Sequence, residues 1–67
     1  EMNDIKLRDA NKILKKNGYT LNRIVGDHYH YYNNNNRRLT LVFHMKRDNS
    51  CPGAIWKKTC KQHNIKY

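Results

Sequence analysis

Three short stretches constrain this chain most. Tyr19–Val25, His28–Tyr32 and Leu39–His44 are rich in β-branched and aromatic residues, and only polar breaks part them. Glycine takes turn conformations without strain, so Gly26-Asp27 turns the first stretch into the second. The break after Tyr32 is a run of four asparagines, Asn33–Asn36, followed by Arg37-Arg38. Low-complexity sequence of that kind can mark disorder. Between two apolar strands it reads better as a hairpin loop, because asparagine accepts turn geometry easily. The centre of the chain therefore reads as a three-stranded antiparallel meander.

Helical periodicity flanks the meander. Leu7, Ala10, Ile13 and Leu14 form an apolar stripe in a helix from about Asp4 or Leu7 to Asn17. Lys6, Arg8, Lys12, Lys15 and Lys16 fall mostly off that stripe and read as a solvated face. Asn17-Gly18 is the stop signal, and Lys15 and Lys16 suit the negative end of the helix dipole. After a polar link from Met45 to Ser50, Pro52 fits the first turn of a second helix, about 52–63, with Ser50 or Cys51 near its cap. Ile55, Trp56, Thr59, Cys60 and His63 make its stripe, with Lys57, Lys58 and Lys61 outside. The expected class is α+β in the order α-β-β-β-α, one domain across 1–67, with both helices on one face of a three-stranded antiparallel sheet. Leu39, Leu41 and Phe43 are expected under Ile55 and Trp56. The other sheet face is left uncovered by the chain itself.

Alternation sorts the strand residues into faces. Leu39, Leu41 and Phe43 point one way, and Thr40, Val42 and His44 the other. With Tyr29 and Tyr31 on the core side, His28, His30 and Tyr32 share the open face with Thr40 and His44. Tyr19–Val25 sorts less cleanly. Tyr19, Leu21, Arg23 and Val25 share one parity and Thr20, Asn22 and Ile24 the other, and neither set is wholly apolar. A β-bulge near Arg23 would reconcile the pattern. Asp27 points away from His28 if the strand is regular, so it is not expected to orient that ring.

Charge bounds the partners. Fourteen Lys and Arg against five Asp and Glu give +9, which favours a polyanion: nucleic acid, an anionic membrane or an acidic protein. No apolar run approaches a membrane span, no signal peptide is visible, and neither helix has the large apolar face of a membrane-surface helix. A cytoplasmic protein is expected. Two cysteines are too few for a disulfide scaffold. Across one helix, Cys51 and Cys60 would lie about 13 Å apart, too far for a bridge. Both read as free thiols. The close paired spacings of structural zinc sites are absent, so no metal or cofactor is expected.

His28 and His30 lie two residues apart and so on one face of a strand. Histidine ordinarily titrates near neutral pH and can take and return a proton there. In a strongly basic chain such a pair suggests phosphate chemistry. Arg23, Arg37, Arg38, Lys57 and Lys58 are candidate contacts to the backbone phosphates of a nucleic acid, with His30 a substrate contact or an acid.

The order helix, Asn17-Gly18-Tyr19, Arg23, Gly26-Asp27-His28, hairpin, Arg37-Arg38-Leu39-Thr40-Leu41 and final helix resembles the HicA toxins of bacterial type II toxin–antitoxin systems. Those carry NGW, then an arginine, then GSH with the catalytic histidine, then a strand such as RRVTV. The resemblance spans about 10 to 65. Asp27 stands where serine or threonine is usual, Val42 where proline is frequent, and Lys58 and Thr59 at or near positions often aliphatic. The resemblance implies a fold like a double-stranded-RNA-binding domain. It also implies a small ribonuclease acting on mRNA, His28 in the catalytic position, and inhibition by a HicB-like antitoxin. The alternatives are a non-catalytic RNA-binding module, which would not need His28, a metal-binding regulator, or a binder of an acidic protein.

Overall fold

The structure, a computed structural model, describes residues 3–44 and 49–67. The order of elements is β1 (Ile5–Lys6), α1 (Leu7–Lys16), β2 (Thr20–Val25), β3 (His28–Tyr32), β4 (Arg38–Val42), β5 (Ser50–Cys51) and α2 (Gly53–His63). Strands β2, β3 and β4 form an antiparallel sheet in that order, and β1 and β5 pair antiparallel as a separate two-stranded ladder. The expected helix–meander–helix order is therefore present, with the β1–β5 clasp added. Part of the expected Met45–Ser50 link lies outside the described residues. Ser50 and Cys51 are in β5 rather than at a helix cap.

Local chemistry sets the helix ends. α1 stops where Gly18 takes φ +85°, a conformation that only glycine adopts cheaply. The N–H groups of Asn17 and Tyr19 close back on the Leu14 carbonyl. The Asn17 side chain donates to the carbonyls of Ile13 (2.8 Å) and Lys66 (3.1 Å) and accepts the Lys66 N–H (3.2 Å). It thereby ties the end of the chain to the end of α1. α2 begins at Gly53, one residue later than expected, with Pro52 at the cap position. Its first N–H, on Gly53, donates to Asp4 Oδ1 at 3.2 Å, which puts a carboxylate at the positive end of the helix. Asn64, at φ +55°, ends α2.

Both helices pack on the same side of the meander. Ala10 and Leu14 of α1 and Trp56 and Cys60 of α2 join Tyr29, Tyr31, Leu39, Leu41 and Phe43 in one buried cluster. Ile55 departs from expectation, being 36 % exposed. Gly53, Trp56, Thr59 and Cys60 are the buried residues of α2, and Ile55 is turned about 100° away from Trp56 around the helix. Cys51 and Cys60 are buried and unbridged. Burial pushes both thiols up to about 11, which keeps them protonated. The Tyr31 hydroxyl donates to Asn11 Oδ1, and burial holds its phenol well above the usual range.

The loop of asparagines is structured by two of them. Asn33 Oδ1 accepts the N–H groups of Asn35 and Arg37, both at 2.9 Å, and Asn36 sits at φ +63°. This fixes where β4 begins and hence its register with β3.

The layering predicts unequal costs for two truncations. Leu41→Ala, at a fully buried site, should lower the unfolding free energy by about 2–5 kcal/mol. Ile24→Ala, on the half-exposed edge strand, should change it by about 0.5 kcal/mol or less. Urea titrations of the two variants check this.

Candidate functional site

The open face of the sheet is assembled by register. Across the three strands, Val25, His28 and Val42 form one row, and Arg23, His30 and Thr40 the next. Tyr32 lies opposite Arg38 on one side and Thr20 on the other. The β2–β3 register shifts between Leu21 and Arg23, leaving Asn22 without a partner. This bulge resolves the mixed parity of the first stretch. Before it, Tyr19 and Leu21 share the core parity of Tyr31. After it, Arg23 and Val25 share the open parity of His30 and His28. Without the extra residue Arg23 would face the helices.

His28 opens β3 directly after the two-residue Gly26-Asp27 turn. Gly26 takes φ +62° and Asp27 is not in the left-handed region, the φ pattern of a two-residue hairpin with glycine first. The turn is also fastened to the residue that follows β4, because the Phe43 N–H donates to the Asp27 carbonyl at 3.0 Å. As a turn residue Asp27 escapes strand alternation, and its Oδ1 lies 2.9 Å from His28 Nδ1. The expectation that it points away from His28 is corrected. The two side chains are 56 % and 48 % exposed, so the pair faces solvent.

His30 is held differently. It is half-buried, and its Nδ1 lies 2.9 Å from Thr40 Oγ1 on β4. Desolvation lowers its pKa below the ordinary histidine value, and the positive charges of Arg38 and Arg23 and the nearby His28 lower it further. Around pH 7 the ring is neutral.

The structure brings only part of the predicted set together. Arg23, His28, His30 and Arg38 share the open face. Arg37 turns toward the helical layer, where its guanidinium donates to the Gln62 carbonyl at 3.3 Å. Lys57 and Lys58 are exposed on α2, which packs against the opposite face of the sheet, so they do not flank the histidines. His44 does not continue the β4 row but forms an isolated bridge with Ser50. A histidine not singled out for chemistry, His63, accepts or donates at Nδ1 to the Tyr19 hydroxyl at 3.0 Å. Desolvation, and then Arg37, lower its pKa. Among the described residues no three His, Cys, Asp or Glu side chains gather as a metal site, and no helix is long and apolar enough to cross a membrane.

A family model described as the HicA toxin of bacterial toxin–antitoxin systems matches residues 7–65. The match takes in both main helices and the whole meander. This chain belongs to the HicA toxin family. As a HicA-family toxin it is one half of a toxin–antitoxin pair, and membership implies a HicB-type antitoxin as its partner. Comparisons with curated proteins and with solved structures gave no match.

The two lowered histidines predict how this HicA toxin responds to acid. Unfolded, each ring titrates near the ordinary value of about 6.5; folded, each titrates lower. Between those values the unfolded chain binds more protons. Stability is therefore full above about pH 6.5 and falls as pH drops through the folded pKa values. Thermal unfolding between pH 8 and pH 5 should show that fall, and the double variant His30→Gln, His63→Gln should flatten it.

Proposed function

We propose that this HicA toxin is a metal-independent endoribonuclease that cleaves mRNA in the cytoplasm, with His28 as the catalytic acid/base. The observation that carries the reading is the open face itself: an exposed histidine next to a second histidine, with arginines on both neighbouring strands. RNA carries its own nucleophile. His28 removes the proton from a ribose 2′-OH, the O2′–P bond forms, and the P–O5′ bond breaks. The departing O5′ takes up a proton, leaving a 2′,3′-cyclic phosphate and a 5′-hydroxyl end. Arg23 and Arg38 hold the phosphate oxygens, where negative charge grows in the transition state. A neutral His30, with Nδ1 engaged by Thr40, suits a substrate contact better than a proton donor. Arg37, Lys57 and Lys58 would then meet RNA only where it runs beyond this face.

The same face is the proposed seat of the HicB-type antitoxin. It presents Val25, Tyr32 and Val42 around the histidines, and half of Val25 is exposed (53 %). A partner seated there buries His28 and blocks cleavage by direct masking. The residues 1–67 serve as one toxin domain in this reading.

A matched set of assays tests it. Cleavage of mRNA and growth arrest should vanish in His28→Ala, fall partly in His30→Ala, and persist in wild type with excess chelator. RNA affinity should fall steeply with salt and survive His28→Ala. Full cleavage by His28→Ala would leave only an RNA-binding module, and loss on chelation would point to a metal.

A further inference from the structure

We propose that Asp27 is a positioning residue. Its carboxylate holds the His28 ring with the proton on Nδ1 and the lone pair of Nε2 turned outward to the substrate. The inference rests on the catalytic reading of His28 and adds the group that fixes its tautomer.

The geometry is specific. Asp27 Oδ1 lies 2.9 Å from His28 Nδ1, within hydrogen-bond range. A carboxylate only accepts, so the nitrogen that faces it must carry the hydrogen. In the neutral ring the other nitrogen, Nε2, is then the acceptor. A base that takes a proton from a 2′-OH needs that arrangement, and an unheld imidazole divides itself between two tautomers. In the Ser-His-Asp triad of hydrolases an aspartate does the same work on a histidine Nδ1.

The backbone supports the pair. Asp27 is fastened through its carbonyl to the N–H of Phe43, one residue past the end of β4, at 3.0 Å, while Val25 and His28 pair across the turn. Gly26, at φ +62°, lets two residues complete the reversal. The carboxylate is thus delivered from a turn clamped on both sides rather than from a free loop. His30 does not compete for it, because its own Nδ1 is engaged by Thr40.

Exposure separates positioning from scaffolding. The pair is about half exposed, and ion pairs in water contribute little to folding. Removing the carboxylate should leave the fold intact and disturb the ring.

The test uses the full chain, Asp27→Ala and Asp27→Glu, with His28→Ala as control. Ring nitrogen shifts are read by NMR at a pH where His28 is neutral, and kcat and KM on a mixed-sequence oligoribonucleotide. Wild type should show His28 with its hydrogen on Nδ1. Asp27→Ala should show a mixture of tautomers and a kcat lowered roughly tenfold or more, short of the ~10⁴-fold loss at a buried triad aspartate because this pair is half exposed, with KM and Tm unchanged. Asp27→Glu should restore the Nδ1 tautomer and most of the rate. An unchanged tautomer or an unchanged kcat in Asp27→Ala, with His28→Ala inactive, overturns the positioning role alone. Full activity in His28→Ala overturns the ribonuclease reading beneath it.

Discussion

The site depends on one unpaired residue in an edge strand. Asn22 interrupts the β2–β3 register, and that interruption exchanges the faces of everything beyond it. Tyr19 can then be buried with the aromatic side of β3, while Arg23 reaches His30 on the opposite side. A regular strand would have to sacrifice one of these. Either Tyr19 would leave the core or a guanidinium would point into it, and burying an unpaired charge is costly.

Around that choice the chain divides its labour by layer. The helices cover one side of the sheet with Ala10, Leu14, Trp56 and Cys60 and leave the other side polar and open. Side chains are held there by short bonds to neighbouring strands or turns: His30 to Thr40, His28 to Asp27, and the turn itself to Phe43. Arg23 and Arg38 add positive charge where His30 is already desolvated, so this ring stays neutral while the cations remain available to an anion. A small fold with one covered face thus supports a site without a deep cleft.

Much of this was legible in the sequence. The alternation of Leu39, Leu41 and Phe43, the Asn17-Gly18 stop and the bounds of His28–Tyr32 are local signals, and they hold in the structure. The need for a bulge near Arg23 was legible too, but not that Asn22 is the residue left over, because nothing in its neighbours marks it. The β1–β5 clasp and the cap supplied by Asp4 join residues far apart in sequence, in strands too short to show a period. Ile55 was misplaced because α2 has two candidate inward lines and Trp56 takes the inner one. Lys57 and Lys58 were assigned by charge, which carries no face. Asp27 was misjudged because alternation governs strands, and Asp27 belongs to the turn.

The central claim is that this open face directs a ribose hydroxyl at its own phosphate, with His28 taking the proton. The most direct measurement maps the scission site in an oligoribonucleotide and then replaces the single nucleotide on its 5′ side by the 2′-deoxy form. The account predicts that cleavage at that bond stops while binding persists, and that the unmodified product ends in a 2′,3′-cyclic phosphate. Continued cleavage at the deoxy position would contradict it.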